Sequence, residues 1–152
     1  PYRWRPMTWK VDGKEYLHER AVSTQQTGFS FVAQSRSWLP SEIGGILWFG
    51  VDDTYSTVYF PMYAGALGVP RSYAEGTGSF HHVDFDAAFL TFNYVSNFAY
   101  LRYSDMIRDV RKVQQELEDG FYAQVPEVDS AALALQSQDR PTSRHRRRKQ
   151  AT

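Results

Sequence analysis

The chain has 152 residues, of which 42% are hydrophobic and 22% charged, a composition typical of one globular domain or a large part of one. It contains no cysteine, which excludes a disulfide scaffold, a thiolate zinc site and a cysteine nucleophile within these residues. The formal net charge is zero, but residues 139–152 carry +5 (six Lys and Arg against one Asp) and residues 1–138 carry −5.

The first half of the chain predicts antiparallel strands. The pair Asp12-Gly13 is typical of a tight hairpin turn. Bulky residues alternate with small or polar ones over Thr27–Gln34, which predicts a half-buried strand. The run Ile46–Val51 is apolar on both sides, which predicts a strand covered on both faces. The other elements predicted here are a loop at Ser35–Glu42, a turn at Asp52–Thr54, a strand at Ser56–Tyr63 and a loop at Ala64–Gly78.

The second half predicts amphipathic helices, because its apolar residues recur at spacings of three and four. Asp84 or Asp86 is the expected N-cap of the first helix, and Ser104 is the expected N-cap of the second. Gly120 follows the second pattern and is typical of a C-terminal stop. The three predicted helices cover residues 85–99, 106–117 and 127–138. Strands followed by helices favour an α+β fold.

The basic segment 139–152 is predicted to be a disordered tail, separate from a domain at residues 1–138. Its arginines also match the pattern of a nucleic-acid patch, but no aromatic residue is present to stack on a base, so the sequence favours the solvated tail. No run of about 18 apolar residues occurs, so we expect no membrane-spanning segment.

Arg36 is the first candidate for a functional site. It follows a predicted strand and precedes Trp38. A cation at the end of a buried strand suits a substrate carboxylate or an oxyanion, whereas the alternative is a surface arginine stacked on the indole. The polar residues Gln25-Gln26-Thr27 before the same strand are either structural or line a pocket.

Two pairs of titratable residues are further candidates. Asp52-Asp53 is either a carboxylate pair for acid–base or metal chemistry, or a turn stabilised by its own side chains. His81-His82 are adjacent, and neighbours on a strand point to opposite faces, so the pair is a poor chelate. We therefore expect neither a metal site nor a cofactor.

Three segments resemble the signature of a known family. They are Arg20–Pro40, Ile43–Tyr63 with its Trp-Phe-Gly-Val-Asp-Asp-Thr motif, and Asn93–Tyr103 followed by Met106-Ile107 and Lys112-Val-Gln. The chain resembles the bacterial dipeptidase A family, which is related to the secernins and is one of the N-terminal-nucleophile hydrolases. The resemblance covers roughly residues 1–135.

This resemblance implies a fold and a mechanism. The complete enzyme is expected to be an αββα sandwich of two antiparallel sheets with helices outside. A cysteine at the mature N-terminus attacks the peptide carbonyl, and its own α-amino group acts as general base, without a metal. The pKa of an α-amine, about 7.7–8.0, suits that role. The implied reaction is the hydrolysis of dipeptides to amino acids.

The chain departs from the family in lacking the nucleophilic cysteine. We expect it to be a fragment that lacks the N-terminal part, and to be inactive alone. The alternative is a non-catalytic remnant, a binding or structural module derived from such an enzyme. The resemblance favours Arg36 as support for the oxyanion or the substrate. It also includes Asn93 and Asn97, for which a structural role is expected, and Asp52 and Asp53, whose role it leaves open.

Overall fold

A computed structural model describes residues 7–18, 23–79 and 81–139 of the chain. Its strands are β1 (Met7–Val11), β2 (Lys14–His18), β3 (Phe29–Ser35), β4 (Gly45–Val51) and β5 (Phe60–Tyr63). Its helices are α1 (Ser41–Gly44), α2 (Ala88–Ala99) and α3 (Tyr103–Asp139), with a 3₁₀ turn at Arg71–Tyr73. Antiparallel strands precede the two long helices, which confirms the predicted α+β class.

The first two strands form a separate antiparallel hairpin. Its turn is the predicted one, and both turn residues have positive φ angles, 50° at Asp12 and 76° at Gly13. Two positive φ angles in a row give the twist that a two-residue hairpin requires, and Asp-Gly tolerates them well. Across the strands, the rings of Trp9 and Tyr16 stack at 6.1 Å.

The larger sheet has the strand order β3-β4-β5, and every pairing is antiparallel. The central strand β4 buries Ile46 and Trp48, and the Trp48 ring lies 4.7 Å from the ring of Tyr122 in α3. On the other face of the sheet Phe29 and Phe31 are exposed. The prediction that β4 is covered on both faces is therefore met fully on the helix side only.

The last strand is shorter than predicted, because the chain from Asp53 to Thr57 forms a turn. The backbone N–H groups of Ser56 and Thr57 donate to the carbonyl of Asp53. The carbonyl of Thr57 and the backbone N–H of Tyr59 bond to side chains of α3 rather than to a neighbouring strand. Gln114 donates to the Thr57 carbonyl at 2.6 Å, and Glu118 accepts from the N–H of residue 59 at 2.9 Å.

The start of α2 differs from the prediction of a helix that begins at Phe85. The helix begins at Ala88 after an N-cap, Ala87, that has no side-chain cap. Asp84 is not the cap, because its carboxylate accepts from the backbone N–H of Asp86 at 2.9 Å within the preceding turn. A local side-chain bond of this kind competes with the helix for the same residues and delays its start.

The second and third predicted helices are one helix, α3, which has 37 residues and contains both Gly120 and Pro126. Gly120 is not a stop, and Ser104 lies inside the helix rather than at its N-cap. Glycine and proline disfavour a helix interior by about 1 and 3 kcal/mol, so packing must exceed that cost. The rings of Phe121 and Tyr122 supply such packing, since they contact Phe60 and the β4 tryptophan on the sheet.

Several predictions concern residues outside those that the structure describes. The basic tail beyond Asp139 and the first six residues are among them. Within the described ranges, no helix combines the length and the apolar character that a bilayer crossing requires.

Candidate functional site

Arg36 lies at the end of β3, where the chain turns toward α1. Its backbone N–H donates to the carbonyl of Gly44 at 2.7 Å, and its carbonyl accepts from Leu39 at 3.1 Å. These two bonds form a tight connection between β3 and α1. The residue is only 6% exposed, which is unusual for an arginine and requires a partner for its charge.

That partner is Asp129, in the C-terminal half of α3. The guanidinium donates from both terminal nitrogens to the two carboxylate oxygens, from Nη1 at 2.5 Å and from Nη2 at 3.1 Å. The carboxylate is 15% exposed, so the pair is largely removed from water. A two-pronged arrangement of this kind fixes the orientation of a carboxylate as well as binding it.

Two further groups surround the guanidinium. The hydroxyl of Tyr63, the last residue of β5, donates to Asp129 Oδ1 at 3.0 Å, and its ring lies 5.6 Å from the guanidinium carbon. The carbonyl of Ile43 accepts from Arg36 Nη2. The buried Nε of Arg36 finds no hydrogen-bond acceptor among the described residues. The arginine therefore has donor capacity beyond its present partners.

The charges within this cluster shift its titration. Burial lowers the pKa of Arg36, but Asp129 and, to a smaller extent, Tyr63 raise it, and the net direction is upward. Burial also raises the pKa of Tyr63, and Asp129 adds to that effect while Arg36 opposes it. Arg36 thus stays charged and Tyr63 stays a neutral donor at all physiological pH values.

The structure bears on two local alternatives. Arg36 does not stack on Trp38, because the indole is 76% exposed and the aromatic ring beside the guanidinium belongs to Tyr63. Gln25 and Gln26 lie on an exposed turn closed by the bond from the Thr27 N–H to the carbonyl of residue 24, which agrees with the structural alternative.

The second cluster begins with Asp52, directly after β4. Its φ angle is +67°, in the left-handed region that only short polar residues and glycine adopt readily. The side chain is 2% exposed. Its carboxylate accepts from Asn93 Nδ2 at 2.9 Å and from Ser96 Oγ at 2.6 Å, and both donors lie on α2.

Asp53 is 1% exposed, and its side chain binds a different set of residues from that of Asp52. Its carboxylate accepts from the hydroxyls of Ser23 at 3.1 Å, Ser56 at 3.2 Å and Tyr100 at 3.0 Å. The predicted turn is present at this place, and its side chains are buried as well. The pair thus ties the end of β4 to the turn that follows and to the end of α2.

Neutral donors alone surround these two carboxylates in the part of the chain that the structure describes, where neither forms a salt bridge. The pKa values of two nearby tyrosines are shifted in this environment. Burial and the charge of Asp53 raise the pKa of Tyr100. Burial, together with Tyr55 and Asp53, raises the pKa of Tyr103 to about 12. Both hydroxyls remain protonated donors at neutral pH.

The structure does not bring the two clusters together. Arg36 follows the β3 end that pairs with Gly45, whereas Asp52 follows Val51 at the other end of β4. Six residues along a strand span about 20 Å. Asn93 belongs to the aspartate cluster, and Asn97 donates to the carbonyl of Asn93 at 2.7 Å.

The histidine pair lies on the surface, away from both clusters. Backbone bonds in both directions join His82 to Ser79 as an isolated bridge, and both histidines are exposed. In the described ranges, no group of three or more His, Cys, Asp or Glu residues lies together in a way that could hold a metal ion.

Sequence reasoning missed the partners in these clusters, among them Tyr63, Ser96, Tyr100 and Asp129. The partners of Arg36 are distant in sequence, with Asp129 93 residues away, so no local pattern connects them. Ser96 had a usable signal. It lies three residues after Asn93, and that spacing places both side chains on one face of a helix.

Comparison with known proteins adds a family. The family model described as peptidase family C69 matches residues 4–116, well over half of the chain. No curated protein and no solved structure matches. The match agrees with the resemblance seen in the sequence, and it includes Arg36 and both aspartates but ends before Asp129.

Proposed function

The chain belongs to peptidase family C69, and from this premise we propose that it is the part of a cysteine-type dipeptidase that lies downstream of the nucleophile. The observation that carries the proposal is the family match over residues 4–116 in a chain without a single cysteine. A thiol must then come from sequence other than these 152 residues. By the same proposal, the catalytic domain includes residues up to about 138, because α3 continues to contact the sheet beyond the matched region.

In this proposal Arg36 binds the carboxylate of the dipeptide or supports the oxyanion that forms when the peptide carbonyl is attacked. Its burial supports the role, because a fixed guanidinium in a water-poor site stabilises negative charge far more than a solvated one does. The tight backbone connection at Gly44 supports it as well, because a positioned cation needs no reorganisation when charge develops.

A second function, a binding or structural module without catalysis, is favoured by a different observation. Asp129 already neutralises Arg36 through two hydrogen bonds, so the arginine is not open to a substrate in this arrangement. A module of this kind keeps the fold of the peptidase and leaves dipeptides intact.

An experiment that supplies the missing cysteine distinguishes the two functions. The chain is joined behind a cysteine-bearing N-terminal segment of a family C69 peptidase, and the release of free amino acids from a panel of dipeptides is measured. The dipeptidase proposal predicts hydrolysis by the joined protein and none after the cysteine is changed to alanine. A joined protein that folds and still cleaves no dipeptide would support the non-catalytic module.

Arg36 is then tested in the same joined protein. We expect Arg36→Ala to lower kcat/KM by at least about 100-fold, the size of effect seen when one oxyanion donor is removed. Thermal unfolding is measured alongside, with the exposed Arg102→Ala as matched control. If the loss of activity of Arg36→Ala follows only from a loss of folded protein, the arginine is structural.

A further inference from the structure

The carboxylate-binding position of Arg36 is filled from inside the chain. Asp129 occupies both terminal nitrogens of the guanidinium, and the Tyr63 hydroxyl holds one of its oxygens. A planar, singly charged group with two oxygens is thus recognised by a two-pronged cation and one neutral donor. These are the features by which proteins recognise a peptide carboxylate.

We propose that Asp129 is an internal stand-in for a ligand carboxylate, and that Arg36, held in place by the Ile43 carbonyl, and Tyr63 form a subsite that binds the C-terminal carboxylate of a peptide when Asp129 leaves. The identity of the ligand as a peptide rests on the proposed function. The presence of a carboxylate subsite does not, because it depends on the contacts alone.

The subsite has a free donor for its ligand. Arg36 Nε is buried and unpaired within the described residues, whereas the Nη groups are used by Asp129 and Ile43. A ligand carboxylate that shifts toward Nε satisfies this donor, which Asp129 in its helix does not reach.

There is also space beside the residues that contact the pair. A depression of about 220 Å³ lies between the segment before β4 and α3, and its lining includes Ile43 and Ala132. Ala132 follows Asp129 by three residues and lies on the same side of the helix. A second depression of about 390 Å³ on the sheet side reaches Ser35 and Tyr63. Each depression is therefore bordered by one residue that contacts the pair, Ile43 in the first and Tyr63 in the second.

Asp129 lies on a part of α3 whose backbone is suited to a movement that withdraws the carboxylate from Arg36. Pro126, three residues earlier, has no N–H and so removes one backbone bond of the helix at that point. Gly120 lies two turns further back and has open space around it. The segment that carries the carboxylate lies outside the residues 4–116 that the family model matches.

The test measures peptide binding, not hydrolysis, so its failure is distinct from failure of the proposed function. Alanyl-alanine is titrated into the wild-type chain and into Asp129→Asn while the Arg36 side-chain N–H signals are followed by NMR. Asparagine keeps the size of the occupant and removes its charge. We expect binding at least 10-fold tighter to Asp129→Asn than to wild type, with no gain for alanyl-alanine amide, which lacks the carboxylate. Equal affinity for the two chains, or an equal gain with the amide, overturns the proposal.

A second variant keeps the proposal testable if Asp129→Asn does not fold. Asp129→Ala is heated in sodium acetate and in sodium chloride of equal ionic strength. We expect acetate to raise the Tm of this variant by several degrees more than that of wild type, and Arg36→Ala/Asp129→Ala to gain nothing. Asp119→Ala removes an exposed carboxylate of the same helix and serves as control. Absence of an acetate effect on Asp129→Ala shows that the position is purely structural.

Discussion

A double-mutant cycle on Arg36 and Asp129 tests whether the buried pair forms as described. The pair is 6% and 15% exposed, so solvent screens it little. Removing one partner leaves an uncompensated buried charge, which costs about 3–5 kcal/mol. We therefore expect Asp129→Leu to lose about 4 kcal/mol, equivalent to a fall in Tm of about 8–16 °C in a chain of this size. Changing both residues, to Met and Leu, should cost far less than the sum of the single changes, with a coupling energy of about 2 kcal/mol or more.

The cycle is measured by urea unfolding of the four proteins, followed by circular dichroism. The pair Arg102–Asp105 is the control, because its side chains are 78% and 64% exposed. Its coupling should be below about 0.5 kcal/mol. If Asp129→Leu loses less than 1 kcal/mol, or if the coupling of the buried pair equals that of the control, the guanidinium and the carboxylate do not form the contact that the subsite requires.

Three further predictions concern packing, titration and backbone geometry. In Gly50→Ala the new Cβ would lie 2.6 Å from Cγ2 of the fully buried Thr57, so thermal unfolding should show a loss of stability of about 1–3 kcal/mol. The control Gly28→Ala, whose new Cβ meets open space, should change stability by less than about 1 kcal/mol. Because burial raises the pKa of Tyr103 to about 12, this residue favours the folded state below pH 10, and that contribution is lost as the pH rises from 10 toward 12. The tyrosinate absorbance of wild type minus that of Tyr103→Phe should show one tyrosine that titrates late. A difference titration without this late step refutes the raised pKa of Tyr103. The free energy of unfolding of Asp52→Ala should be about 2–3 kcal/mol lower than that of Asp52→Asn, because asparagine accepts the left-handed backbone at +67° and keeps an acceptor for the α2 donors. Equal stabilities of the two variants would show that neither the backbone angle nor the acceptor matters.

Much of the fold was predictable because local patterns determine it. The Asp12-Gly13 turn, the strand at residues 29–35 and the apolar strand β4 follow from turn chemistry and from a period of two. Their antiparallel order and the helices after them gave the α+β class. The resemblance reached further than periodicity, since it identified the family that residues 4–116 match.

The errors in α3 and in the last strand share a physical cause, which is that contacts distant in sequence override local preference. Gly120 and Pro126 are helix breakers by propensity, yet α3 continues through both, because its rings and carboxylates pack and bond on the sheet. The strand expected at residues 56–63 is shortened because Gln114 and Glu118 take the backbone partners that a neighbouring strand would supply. Nothing local marks these helix side chains as partners of that segment.

The candidate site shows the same division. Arg36 was identifiable as a cation at the end of a strand, but its burial and its bond to Asp129 depend on a helix 93 residues away. The Asp52-Asp53 turn was also identifiable, whereas the burial of both carboxylates depends on α2 packing over them. Sequence thus located the residues, and only the fold established their surroundings.

The most direct test of the account is the release of amino acids from dipeptides by the purified 152-residue chain. Cooperative thermal unfolding is recorded on the same sample, so that a lack of activity is not a lack of folding. The account predicts a folded chain with no hydrolysis above the buffer blank, because the thiol nucleophile of the family is not among its residues. Hydrolysis by the folded chain alone would contradict it, since these residues would then contain a nucleophile of another kind.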